Sequence, residues 1–109
     1  MPYDPGLVER VAESFVALGI RSARQKNVFG GRGFMVGKSA AVIVWDDRLL
    51  VKTPPAEYAA ALGTAGITPF APDGERPMST WVVVAPDAMA DDPELRDWVA
   101  RGLRGIGRG

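Results

Sequence analysis

The stretch from Ala40 to Lys52 constrains the fold more than any other part of the chain. It reads Ala40-Ala41-Val42-Ile43-Val44-Trp45, then Asp46-Asp47, then Arg48-Leu49-Leu50-Val51-Lys52. Two β-prone runs separated by two turn-forming residues specify an antiparallel hairpin. The turn also sets the register: Trp45 opposes Arg48, Val44 opposes Leu49, Ile43 opposes Leu50 and Val42 opposes Val51. Side chains alternate along a strand, so Val42, Val44, Leu49 and Val51 share one face, with Ile43, Trp45 and Leu50 on the other. Gly37-Lys38 offers a second two-residue turn, because glycine supplies the positive φ that hairpin turns require. An antiparallel meander from about Gly33 to Thr53 follows. Carried through Gly37-Lys38 without interruption, the register puts Met35 and Ala40 beside Val42, and Phe34 and Val36 beside Ile43, Trp45 and Leu50.

Helix signals flank these strands. Asp4 is placed as an N-cap, Pro5 at the first helical position and Gly19 just past the end, with Leu7, Val11, Phe15 and Leu18 on one face. Pro54-Pro55 opens a short helix through Glu57, Tyr58 and Leu62, closed by Gly63 and Gly66, and Thr80 to Ala85 reads as a further strand. Asp92-Pro93-Glu94 starts a last helix whose Leu95, Trp98, Val99 and Leu103 form one apolar stripe. The order is helix, three or four strands, helix, one or two strands, helix. That order predicts an α+β fold of two layers, an antiparallel β-sheet with three helices.

With 109 residues and 47% apolar composition, one domain over residues 1–109 can bury roughly 65% of its unfolded surface without staples. Its core is expected at about 4–104. The four glycines between Gly102 and Gly109 are expected to interrupt any helix and leave a loose Gly/Arg tail at 105–109, with Arg104 and Arg108 solvated. No apolar run approaches the roughly 20 residues of a membrane span, and no positively charged region precedes an apolar stretch at the N-terminus. A cytoplasmic location without membrane contact is expected.

The chain has neither cysteine nor histidine, which removes thiol nucleophiles, thiolate metal sites, the commonest general base and the commonest metal ligand. The expectation is a protein that is not an enzyme and takes no cofactor or metal. Gly30-Gly31-Arg32-Gly33 fails the dinucleotide fingerprint, since the glycine after Gly33 is Gly37, one residue too far. Gly37-Lys38-Ser39 fails the phosphate-loop pattern, whose first glycine would fall on Arg32 and whose interior, Phe34-Met35-Val36, reads as a strand. Structural glycines that permit a bend or a close approach are expected there. The adjacent carboxylates Asp46-Asp47 and Asp91-Asp92 sit at turn or cap positions that favour aspartate for backbone reasons. Met78, Trp81 and Trp98 read as packing residues.

Two candidate interaction surfaces remain. The second sheet face holds Phe34, Val36, Ile43, Trp45 and Leu50, more apolar surface than a solvated face carries. Either a helix crosses to that side, or the register slips by one residue, or a partner covers it, with homodimerisation or another protein partner the leading reading. The other candidate is a run of Arg21, Arg24, Lys26, Arg32 and Lys38 without an intervening carboxylate, with Phe29 and Phe34 among them as stacking platforms for nucleic acid. Against it stands the acidic stretch Asp87, Asp91, Asp92, Glu94 and Asp97, placed either opposite the cations or as caps of the last helix. A small-molecule or anion-binding role is a third alternative.

Val28-Phe29-Gly30-Gly31-Arg32-Gly33-Phe34-Met35, followed by Trp45-Asp46-Asp47-Arg48-Leu49-Leu50-Val51-Lys52, resembles the TfoX N-terminal domain family, named after a bacterial regulator of natural competence. Glu57-Tyr58, Pro69-Phe70, Arg76-Pro77-Met78 and the helix from Leu95 to Leu103 follow the family's order across about residues 7 to 104. The resemblance implies a two-layer α+β fold similar to secretion chaperones, often dimeric, and defines no catalytic residues. The family's motif falls on Gly30, Gly31, Gly33, Phe34 and Met35, with Asp47 and Leu49 at the following hairpin. In the competence regulator a helical C-terminal domain follows; no such domain is expected within the present 109 residues, so the resemblance implies neither competence control nor DNA binding for them.

Overall fold

The computed structural model describes residues 3–108; Met1, Pro2 and Gly109, the last residue of the expected tail, lie outside the described residues. Helix α1 (Pro5–Ala17) is followed by strands β1 (Arg24–Val28), β2 (Gly31–Val36), β3 (Ser39–Trp45) and β4 (Arg48–Lys52), helix α2 (Pro55–Leu62), strands β5 (Ile67–Pro69) and β6 (Trp81–Val84), a 3-10 turn at Pro86–Met89, and helix α3 (Asp92–Gly105). The strands form one antiparallel sheet in the order β1-β2-β3-β4-β6-β5. The two-layer α+β architecture is the one expected. Among the described residues no helix is long and apolar enough to cross a membrane.

Capping follows the sequence signals. The Asp4 side chain accepts from the Gly6 N–H at 2.9 Å and Pro5 opens α1. At α3 the N-cap is Asp91, which accepts from the Glu94 N–H at 2.9 Å while the Glu94 side chain returns to the Asp91 N–H, a complete capping box. The acidic stretch is thereby spent on α3 and its neighbours: Asp92 pairs with Arg10 and Asp97 with Arg101.

The three helices cover one face of the sheet. Leu7, Val11 and Phe15 of α1, Ala61 of α2 and Leu95, Trp98, Val99 and Leu103 of α3 pack with Val42, Val44, Leu49, Val51, Val82 and Val84. The Trp98 indole N–H donates to the Ala88 carbonyl at 3.1 Å, and Arg101 lies 4.4 Å over its ring.

The β3–β4 register agrees residue for residue with the turn argument: Trp45 pairs with Arg48, Val44 with Leu49, Ile43 with Leu50 and Val42 with Val51. The β2–β3 register does not continue it. Val36 pairs with Ser39 and Met35 with Ala40, but Phe34 pairs with Val42, so Ala41 is an extra residue bulged out of the ladder. One extra residue reverses the parity of everything on the far side of it. Phe34 and Val36, expected beside Ile43 and Trp45, therefore point into the helix-covered core and are 2% and 4% exposed. Met35 and Ala40, expected beside Val42, turn to the opposite face. The Phe34 ring stacks on Phe15 at 5.3 Å between centroids.

The opposite face is covered by the chain itself, neither by a helix nor by bare alternation of polar side chains. After β5 the segment 70–80 folds back: the Phe70 N–H donates to the Trp81 carbonyl, the Met78 N–H to the Phe70 carbonyl and the Trp81 N–H to the Met78 carbonyl. Phe70 is pressed onto Ile43, Leu50 and Val83, with Val28, Ala40, Met78 and Trp81 around them. The Asp73 carboxylate accepts from the N–H groups of Glu75 and Arg76, both at 2.9 Å, and these two bonds hold its carboxyl below the usual aspartate range.

The glycine-rich C-terminal segment, expected to interrupt the helix, instead completes it. α3 passes through Gly102 to Gly105, then the Gly107 N–H bonds the Arg104 carbonyl and the Arg108 N–H the Leu103 carbonyl, with Gly107 at φ +81°. This is a Schellman cap. Arg104 is exposed, as expected, and also grips Glu57 through two parallel bonds, Nε to Oε2 at 3.1 Å and Nη2 to Oε1 at 2.9 Å, tying α3 to α2. The Arg104 hydrogen bonds hold the Glu57 carboxyl below its ordinary value. The native state thus binds fewer protons there than the unfolded chain, so the contribution is present above the ordinary glutamate range and is lost as pH falls through the depressed value. Both side chains are more than a third exposed, so Glu57→Gln is expected to cost under about 1 kcal/mol and to flatten the acid limb of a stability-versus-pH curve measured by urea denaturation.

Candidate functional site

Three aromatic side chains from distant parts of the sequence meet on the helix-free face. Phe29 is at the β1–β2 turn, Trp45 ends β3, and Phe70 follows β5. The Phe70 ring is the common neighbour, 5.8 Å from Trp45 and 6.2 Å from Phe29, edge to face with both. With Pro69, Ala71, Pro72 and Val83 they line an apolar cleft of about 410 Å³. Phe29 is 58% and Trp45 39% exposed, so two of the three rings stand open to solvent.

Backbone geometry explains how Phe29 is held there. Val28 pairs with Gly31, leaving Phe29-Gly30 as a two-residue turn with φ +54° and +79°. Positive φ at both central residues is the turn that matches strand twist, and Asn-Gly is its favoured sequence. A phenylalanine in that conformation costs about 1 kcal/mol or more. The aromatic ring is thus presented at a tip where asparagine or glycine would be the better residue for folding.

The motif glycines have structural duties. A Cβ at Gly31 would lie 2.4 Å from the Val44 carbonyl oxygen, and one at Gly33 would lie 2.8 Å from the Val28 side chain. Gly37, with φ +66°, forms the β2–β3 turn with Lys38, so the would-be phosphate loop is a hairpin tip. Phe34 and Met35 face opposite sides of β2, Leu49 is in the main core, and Asp47 lies in the β3–β4 turn, pairing with Arg48 at 3.7 Å.

Of the five residues expected to form an interaction surface, Trp45 alone is exposed. Phe34 and Val36 belong to the opposite face, as the Ala41 bulge dictates, and Ile43 and Leu50 are sealed beneath Phe70. The cations are also divided. Arg24, Lys26 and Lys38 line one hollow of about 460 Å³ on the helix-free side, and Arg24 Nη2 donates to the Gly37 carbonyl. Arg32 lies on the other side of the sheet, bonded to Gln25 and Asn27. Arg21 lies at a separate groove beside α1. Asp46-Asp47 and Asp91-Asp92 occupy the turn and cap positions expected of them.

Phe70 was not among the candidate site residues. Its signal was a single aromatic between Pro69 and the polar run Ala71-Pro72-Asp73-Gly74-Glu75-Arg76, a place where a loop aromatic has no strand or helix of its own to pack in. Phe29 carried a signal only as a stacking platform beside the cations.

No curated protein and no solved structure gave a significant match to the chain. The family model described as the TfoX N-terminal domain matches residues 16–106, from the end of α1 to the C-cap of α3, so the motif turn, the aromatic cleft and the cationic hollow all lie within it. The chain belongs to the TfoX N-terminal domain family.

Proposed function

We propose that this is a regulatory domain that works by protein contact without catalysis, and that the contact joins two copies of the chain through the cleft of Phe29, Trp45 and Phe70. The observation that carries this reading is Phe29, a solvent-exposed aromatic kept at a turn position that costs folding free energy. Exposed aromatics around a partly desolvated pocket are the residues that dominate protein interfaces. Family membership supports the regulatory part of the reading.

Light scattering coupled to size-exclusion chromatography tests it. The native chain is expected to elute as a dimer at micromolar concentration and Trp45→Glu as a folded monomer, because a carboxylate buried in an apolar contact costs on the order of several kcal/mol. Phe29→Asn is expected to be monomeric too, with thermal stability equal to or above that of the native chain when both are measured dilute enough to be monomers, since it removes a contact with Phe70 but relieves the turn. A native chain that stays monomeric sinks the homodimer.

A further inference from the structure

Strand β1 is an open edge of the sheet. Its outer side makes no backbone hydrogen bond among the described residues, and its five residues contain neither proline nor a bulge. The other edge is blunted: β5 has three residues and ends in Pro69, which cannot donate.

Different surfaces flank β1 on its two sides. On the helix-free side Arg24 and Lys26 stand in one row with Lys38 at the neighbouring turn, and none of the three pairs with a carboxylate among the described residues. On the helix side a groove of about 420 Å³, mainly apolar, runs between the end of α1 and β1, with Phe15, Val16, Ile20 and Ala23 in its walls beside the polar Arg21 and Gln25. Val16 is 73% exposed there. A strand's side chains alternate between faces, so a strand laid along β1 would set every second residue against the cations and the others over the apolar groove.

We propose that β1 takes an extended peptide of alternating acidic and apolar residues, added as a seventh strand. Charge decides against a second copy of this chain at the same edge. Antiparallel self-pairing about the middle of β1 would oppose Lys26 to its own copy, and cations on an edge strand are a common guard against such pairing. An acidic strand turns the same charges into attraction, while backbone hydrogen bonds supply affinity and alternate side chains supply specificity. Nucleic acid would engage the cations and leave both the backbone edge and the groove unused. The proposal does not rest on the aromatic cleft.

The probe is a synthetic peptide of alternating valine and glutamate, titrated into the intact chain with amide hydrogen exchange read residue by residue. Binding is expected to slow exchange at outward-facing amides of residues 24–28. Lys26→Glu, an exposed position, is expected to weaken binding about tenfold, and a peptide with lysine in place of the one glutamate that faces residue 26 to restore it. Trp45→Glu is expected to bind as the native chain does, which separates this edge from the cleft. Two peptides, N-methylated at one or the other set of alternate backbone amides, that both bind as well as their parent overturn strand addition. So does an oligonucleotide that binds the same cations when the peptide gives no protection of β1.

Discussion

Gly105→Ala is expected to destabilise the domain by about 2–3 kcal/mol, although alanine is the better helix former by about 1 kcal/mol. The reason is the distance between α3 and β4. A Cβ on Gly105 would lie 1.7 Å from the Lys52 carbonyl oxygen and 2.5 Å from its carbon, whereas a close carbon–oxygen contact is about 3.3 Å. The obstructing atoms are backbone in an interior strand of the sheet, so no rotamer change relieves them. The end of α3 must back away, which opens the packing of Leu103 and strains the Arg104 grip on Glu57. Gly102 repeats the device one turn earlier, where a Cβ would meet the Ala41 carbonyl oxygen at 2.5 Å. The loss corresponds to a fall of roughly 9–13 °C in Tm for a domain of this size. Calorimetry on Gly105→Ala beside Gly107→Ala reads it. Gly107 has positive φ but open space around its Cβ position, so it reports turn strain alone, of about 1 kcal/mol. An unchanged or raised Tm for Gly105→Ala would mean that helix propensity outweighs the close approach.

These two glycines show where sequence reasoning stops. Glycines in a polar C-terminal segment look like helix breakers, because propensity is a local quantity. What keeps them helical is the backbone of two interior strands formed some fifty to sixty residues earlier in the chain, on which only a residue without Cβ can rest. The Asp46-Asp47 hairpin was legible because its turn residues and flanking runs fix the register without outside help. The Ala41 bulge was not, since Ala40-Ala41-Val42 carries no turn residue or change of polarity to mark an inserted position. The fourth strand that the count allowed for, β1, could not be placed for a related reason: Arg24-Gln25-Lys26-Asn27 has no apolar alternation, and it is a strand because β2 offers it a ladder. At the candidate site, Trp45 could be read from strand alternation, but its grouping with Phe29 around Phe70 depends on a turn and a folded-back loop that share no local pattern with it.

The two sheet faces give the second large effect, a contrast between two aromatic residues that unbroken alternation would place side by side. Phe34→Ala is expected to cost about 3–5 kcal/mol, the range for a buried aromatic whose neighbours collapse only partly into the space. Phe34 is 2% exposed among the helices and stacked on Phe15, and Ala41, bulged beside it, is held against α3 at Gly102 and cannot fill in. Trp45→Ala is expected to cost about 1 kcal/mol, since the ring is 39% exposed and gives up chiefly its edge contact with Phe70. Urea denaturation of both variants, made at low protein concentration so that association does not add to stability, measures the difference directly. Equal costs would return Phe34 to the face of Trp45 and remove the bulge. A gap of several kcal/mol leaves Trp45 free of folding duty, which is the condition under which its ring can serve a partner.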